Sequence, residues 1–169
     1  MRPRLQELFS FPSPVNEKAA RVVAGVVAAT VVVIIATGWF WLLIPVTYGF
    51  WARVLTGPTL SPLGRLAQRV VAPRLGAPKP VPGPPKRFAQ GMGAAMSTAA
   101  LLLALVLGAH TVADVVLAAV LVAAGLESIF ALCLGCKVYA RLERAGMVPA
   151  CEDCADLSAR LSGPGRRLA

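Results

Sequence analysis

The chain has 169 residues, of which 57% are hydrophobic and only 15% are charged. Soluble domains carry about 25% charged residues, so the composition excludes an ordinary soluble domain and favours a single domain embedded in a membrane. The formal net charge is +9, but no nucleic-acid recognition motif accompanies it. Because basic residues beside apolar spans contact anionic lipid headgroups, we predict the bilayer, and no nucleic acid, as their partner.

The N-terminal segment, residues 1–18, contains Pro3, Pro12 and Pro14. It lacks the short apolar stretch and the small-residue cleavage site of a secretory signal peptide. We therefore predict a cytoplasmic N-terminal segment, followed by a first apolar span that remains in the protein.

The first apolar run, from Val22 to Ala52, contains no charged residue. As one helix it would be about 46 Å long, which exceeds a hydrocarbon core of about 30 Å. Gly38 lies near the middle of the run and is followed by three aromatic residues of the kind found at membrane interfaces. These are Trp39, Phe40 and Trp41. We predict a helical hairpin with arms 19–37 and 39–55, the second arm kinked at Pro45.

The central segment, residues 56–87, is basic and rich in proline, and it has no apolar run long enough to span a bilayer. Ser61 and Pro62 form a helix start signal, and the apolar residues that follow fall on one helical face. These are Leu63, Leu66, Val70 and Val71. We predict a cytoplasmic loop that contains a short helix on the membrane surface.

Two further apolar runs, 88–109 and 112–136, predict the third and fourth spans. Between them, Thr111 and Asp114 form a capping-box pattern that predicts the start of the fourth helix. His110 belongs to the same connection, and we expect its ring to be solvated.

The distribution of basic residues predicts the orientation. The connections near Gly38 and His110 contain no Lys or Arg, and all 17 basic residues lie in the N-terminal segment, the central loop and the C-terminal segment or, for Arg21 and Arg53, at the ends of the arms next to them. Basic loops stay in the cytoplasm. We therefore predict an all-α integral membrane four-helix bundle of two helical hairpins, residues 19–136, with a short interfacial helix in the loop 56–87. A small helical tail, 137–169, and the N-terminus both face the cytoplasm.

Four cysteines are the most specific chemical signal in the chain. They form two Cys-x-x-Cys pairs, Cys133 with Cys136 and Cys151 with Cys154. On the reducing cytoplasmic side structural disulfides are not expected, which leaves thiol redox exchange, transfer of sulfane sulfur, or a structural zinc site of four thiolates. We expect the tail to fold back so that the two pairs face the same chamber.

Glu127 lies inside the fourth predicted span, where an ionisable residue is energetically unfavourable and typically functional. The alternative is a packing role, in which a neutral carboxyl group bonds to a hydroxyl group within the bundle. The candidate hydroxyl partners are Thr47, Ser97 and Thr98.

Four segments of the chain together form a recognisable pattern. They are Phe11-Pro12-Ser13-Pro14-Val15-Asn16-Glu17, Ser61-Pro62-Leu63, Lys86-Arg87-Phe88-Ala89-Gln90, and Leu126-Glu127 leading to Cys133-Leu134-Gly135-Cys136-Lys137-Val138-Tyr139. The chain, over nearly its whole length, resembles the bacterial membrane family known as domain of unknown function 4395. The resemblance implies functional positions at Glu127, Cys133 and Cys136, with Asn16 and Glu17 as further candidates. It also implies the bacterial inner membrane as location, and neighbouring genes for rhodanese-like sulfurtransferases or thioredoxin-like proteins.

Three functional hypotheses follow. The leading one is a small multi-pass membrane partner in cytoplasmic thiol or sulfane-sulfur chemistry, which exchanges with a soluble sulfurtransferase or thioredoxin-like protein. The second is a non-enzymatic membrane scaffold with a structural zinc ion. The third is a small transporter, or a transporter subunit, that uses Glu127. The candidate reactive residues are Cys133, Cys136, Cys151, Cys154 and Glu127, and the same four cysteines are the candidate metal ligands.

Overall fold

The computed structural model describes residues 11, 13–151 and 154. Seven α-helices occur in the described part: α1 (Glu17–Thr37), α2 (Leu43–Thr56), α3 (Pro62–Leu66), α4 (Ala72–Arg74), α5 (Gly83–Leu105), α6 (His110–Phe130) and α7 (Leu134–Arg144). A 3₁₀ turn, Phe40–Leu42, leads into α2, and a π-helical turn, Ala67–Val71, joins α3 to α4. Two short strands, β1 (Val15–Asn16) and β2 (Pro80–Val81), pair antiparallel.

Helices α1, α5 and α6 are long and apolar enough to cross a membrane. The helical class is thus confirmed, and the three helices indicate a membrane protein. The second predicted arm forms a shorter apolar helix, Phe40–Thr56, about 26 Å long against a hydrocarbon core of about 30 Å. Pro45 lies in the first turn of α2, where its missing N–H has no helical partner to lose.

The four apolar helices pack in the order α1, α6, α5, α2, and α1 makes few contacts with α2. The two arms of the first predicted hairpin are therefore connected at Gly38 without packing on each other. Close approach of α1 to α6 depends on Gly25, where an added Cβ would lie 2.8 Å from the Ser128 hydroxyl oxygen. The largest side chains at the centre of the core are Ile34, Leu43, Leu117 and Val31.

The two connections that lack basic residues meet at one end of the helices. The Phe40 and His110 rings stack there with their centroids 4.7 Å apart. At the opposite end, the start of α1 meets the end of α6, since the Arg21 guanidinium donates to the Ser128 and Ile129 carbonyl oxygens at 3.0 and 2.9 Å. Basic residues of α1, the central segment and α7 gather at this second end, which we call the basic end.

Two helix starts test the predicted capping signals. Ser61 caps α3, and its hydroxyl oxygen accepts from the Gly64 backbone N–H at 3.1 Å, which confirms that signal. The predicted capping box at α6 is wrong: α6 begins at His110 without a side-chain cap, and the buried Asp114 Oδ1 lacks a hydrogen-bond partner among the described residues.

Candidate functional site

The first cysteine pair lies at a helix start. The predicted fourth span, 112–136, includes this pair, but that boundary is wrong: α6 ends at Phe130, and Ala131 adopts a left-handed conformation with φ 56°. The chain therefore breaks, and Cys133 becomes the N-cap of α7, with its sulfur accepting from the Cys136 backbone N–H at 3.3 Å. The two Cα atoms are 5.2 Å apart and the sulfurs are joined as a disulfide.

The second pair lies on the segment that returns along α7. The Tyr139 hydroxyl donates to the Pro149 carbonyl oxygen at 3.3 Å, and the Cys151 backbone N–H donates to Glu143 Oε1 at 2.6 Å. Cys151 is joined to Cys154 with a Cα separation of 5.2 Å, and its sulfur accepts from the Cys154 N–H at 3.2 Å. Both pairs therefore share one local arrangement, in which the first sulfur accepts from the second residue's backbone.

A zinc site needs more ligands than either pair provides. Across residues 11, 13–151 and 154, no group of three or more His, Cys, Asp or Glu side chains is placed to hold one metal ion. The four-cysteine zinc site therefore stays a prediction, and each pair is bonded within itself.

Glu127 forms an ion pair instead of bonding to a hydroxyl group. The Lys86 ammonium donates to Glu127 Oε1 at 2.5 Å, and the two side chains are 9% and 15% exposed. None of the three candidate hydroxyl groups bonds to Glu127 in the described part of the chain: Ser97 and Thr98 donate to the Ala94 carbonyl oxygen, and the buried Thr47 Oγ1 has no hydrogen-bond partner there. The reason is the start of α5, which begins at Gly83 and so carries Lys86 on its first turn, level with the end of antiparallel α6.

Arg53 is a second buried cation at the same end. It is 6% exposed, its Nε donates to Gln90 Oε1 at 2.9 Å, and its Nη1 donates to the Ser61 hydroxyl at 3.4 Å. The guanidinium also lies 4.8 Å from the centroid of the Phe50 ring, within cation–π range. Its Nη2 atom is buried and has no hydrogen-bond partner in the part of the chain that the structure describes.

A cavity of about 260 Å³ lies between α1 and α2, which make few contacts with each other. Helices α5 and α6 form its remaining walls, and the start of α7 closes it. The polar residues that line it are Arg53, Gln90, Glu127 and Cys133. The other lining residues are mostly apolar, so the cavity combines an apolar body with a few polar groups, as small-molecule sites do.

Asn16 and Glu17 have structural contacts at the basic end. Asn16 caps α1, its side-chain oxygen accepting from the Lys18 N–H at 3.1 Å, and Glu17 forms an ion pair with Lys79 at 3.0 Å. These contacts hold the N-terminal strand against the central segment. His110 stacks at the opposite end, away from the cysteines.

Three residues at or next to the cavity were not predicted from the sequence as functional candidates: Arg53, Lys86 and Gln90. A usable signal existed for Lys86, because Pro84 directly after Gly83 favours the first turn of a helix. Arg53 ends an apolar run, and such a residue is normally solvated at an interface. No local pattern distinguishes it from the other basic residues of the segment that follows.

The chain belongs to the family described as Domain of unknown function (DUF4395), whose model matches residues 15–144. That match includes the ion pair, Arg53 and the first cysteine pair, and it ends before the second pair. No curated protein and no solved structure matches the chain.

Proposed function

We propose that this member of the DUF4395 family is a membrane-bound dithiol–disulfide exchange protein. Its Cys133–Cys136 pair exchanges electrons with a soluble thioredoxin-like protein, or accepts sulfane sulfur from a soluble sulfurtransferase. Either partner binds at the basic end. By the positive-inside rule this end faces the cytoplasm of the bacterial cell. The Cys151–Cys154 pair, on the returning segment, relays with the first pair or with the same partner.

One observation carries the proposal: the Cys133 sulfur lies at the N-cap of α7 and accepts the Cys136 backbone N–H. A helix N-terminus stabilises negative charge, so a thiolate on Cys133 is stabilised there. A disulfide that closes so short a loop adds only about 2 kcal/mol to stability by chain entropy. The pair therefore suits exchange better than stabilisation of the fold.

Exposure assigns the roles of the two sulfurs. Cys133 is only 9% exposed, whereas Cys136 is half-buried and next to the exposed Lys137. A partner thiolate attacks the Cys136 sulfur, the Cys133–Cys136 bond breaks, and Cys133 leaves as the stabilised thiolate. A second partner thiol then attacks the mixed disulfide, which gives the oxidised partner and the reduced pair.

The test is trapping of the mixed disulfide. In Cys133→Ser the resolving sulfur is absent, so we expect Cys136 to accumulate a stable adduct with oxidised glutathione, detected by intact mass. The matched control is Cys136→Ser, in which the remaining sulfur is buried and should form adducts at least several-fold more slowly. Equal adduct formation in both variants would contradict the assigned roles.

Metal content and free thiols, measured on one sample of the full chain, separate this proposal from the zinc scaffold. We expect four free thiols after reduction, two disulfides after oxidation and less than one zinc ion per chain. Stoichiometric zinc that blocks alkylation of all four cysteines would refute the exchange function.

A further inference from the structure

We infer that the cavity between α1 and α2 binds the ring of a lipid-soluble quinone, which accepts electrons from the Cys133–Cys136 dithiol. The inference rests on the proposed exchange function and names its electron acceptor. Three features of the cavity carry it: its charge, its walls and its sulfur.

The charge of the cavity favours an electron-accepting oxygen. Among the described residues, the charged groups that line the cavity are Arg53 and Glu127. Lys86 pairs with Glu127 from outside the lining, so the three side chains together carry a net positive charge. Lys86 neutralises Glu127, while the hydrogen bonds of Arg53 to described residues go to the neutral Gln90 and Ser61. Its buried Nη2, without a partner among residues 11, 13–151 and 154, is a donor for a ligand oxygen. A quinone carbonyl accepts this hydrogen bond, and the guanidinium stabilises the negative charge that develops on reduction.

The walls favour a flat apolar body. They include Val23, Val27, Phe50, Met96 and Val120. A volume of about 260 Å³ lies just below the range of about 300–1,000 Å³ for sites of drug-sized ligands, so it holds a ring and leaves an isoprenoid tail outside. Since α1 and α2 make few contacts, the tail passes between them into the bilayer.

The sulfur distinguishes a quinone from other amphiphiles. Cys133 lines the same cavity as Arg53, so a ligand held by the guanidinium lies beside a redox-active sulfur. Cys133 and Cys136 each lose one electron and form the disulfide bond, and both thiol protons leave. The quinone takes the two electrons and two protons and becomes the hydroquinone. A fatty acid would satisfy Arg53 but could not use the sulfur.

The experiment uses the full chain in detergent, reduced and freed of reductant, without oxygen. The probe is decyl-ubiquinone, whose fully substituted ring does not alkylate thiols. We expect loss of quinone absorbance matched by one disulfide per quinone consumed. The rate of each variant is divided by its own rate of oxidation by oxidised glutathione, and this ratio should fall at least tenfold in Arg53→Gln.

A second variant keeps the test decisive if Arg53→Gln does not fold. Ala123→Phe fills the cavity from α6 without removing a polar group, and Ala118→Phe on the exposed face of the same helix is its control. Ala123→Phe should lower the ratio at least tenfold and Ala118→Phe should not. Equal ratios would overturn the quinone site.

The unchanged chain supplies the last comparison. Decyl-ubiquinone should raise its unfolding temperature more than decanoate does, and the reverse order would assign the cavity to a fatty acid and refute the inference. Cysteines that exchange with oxidised glutathione but never reduce quinone refute the quinone alone. Cysteines that exchange with neither refute the proposed function as well.

Discussion

Removal of one partner from the Lys86–Glu127 ion pair should destabilise the protein strongly. Glu127→Gln leaves the Lys86 ammonium, 9% exposed, without its counter-charge, and loss of one member of a buried pair costs about 3–5 kcal/mol. For a chain of this size each kcal/mol lowers the melting temperature by about 2–4 °C. The lower estimate of about 3 kcal/mol therefore predicts a fall of about 6–12 °C. Lys86→Met should have a similar effect.

The double variant Lys86→Met/Glu127→Gln distinguishes this ion pair from two independent polar side chains. Because it removes both charges, its destabilisation should be smaller than the sum of the two single effects by about 2 kcal/mol or more. The assay is thermal or denaturant unfolding of all four proteins in one detergent. Single effects that add within about 0.5 kcal/mol would show that the two groups do not interact and would refute the reasoning.

Three further predictions concern packing, capping and orientation. Gly135→Ala should lower the melting temperature, because the added Cβ would lie 2.5 Å from the Ala89 Cβ and overpacking costs about 1–3 kcal/mol. The control is Gly91→Ala, which should not destabilise the protein because an added Cβ there meets nothing within 4 Å. Ser61→Ala should cost at least about 1 kcal/mol, as measured by denaturant unfolding, because it removes the α3 cap and also the acceptor for the buried Arg53 Nη1. A reporter fused after Ala169 should be active only if it is a cytoplasmic reporter, and periplasmic activity would overturn the orientation.

The sequence was sufficient to predict the apolar helices, because each of them corresponds to a long run of apolar residues. The first charge-free run was too long for one span, and it is indeed broken at Gly38, which has φ 69°. The start of α3 at Ser61 and Pro62 depended on residues within one turn of each other, and such local signals are reliable. Length and local chemistry thus account for the correct part of the fold.

The end of α6 could not be predicted, because the break occurs at Ala131. A left-handed conformation is rare for alanine, and neither glycine nor proline marks the position. The break depends on tertiary contacts of α7: Gly135 lies against Ala89 of α5, and Tyr139 packs edge-on against Phe88 with ring centroids 5.7 Å apart. Only the folded arrangement shows that Cys133 caps a new helix.

The partner of Glu127 was also beyond sequence reasoning, for a different reason. Opposite charges on two helices pair only if both residues lie at the same level along the helix axes. For Lys86 and Glu127 that level depends on the start of α5 at Gly83. Arg53 illustrates the same limit, since its burial depends on two other helices. Its Nε donates to Gln90 of α5, and its Nη1 donates to the hydroxyl of Ser61, the cap of α3.

The position of Glu127 along α6 bears on the choice between exchange and transport. Glu127 lies about 4.5 Å along the helix from the last residue, Phe130, and its partner Lys86 lies in the first turn of α5. A carboxylate that carries ions across a bilayer is expected near the midplane, where it alternates between the two sides. Glu127 is instead held at one end, paired and beside the cysteine-bearing helix. Glu127 and Cys133 line the same cavity, so this placement fits a role beside the cysteines better than it fits transport.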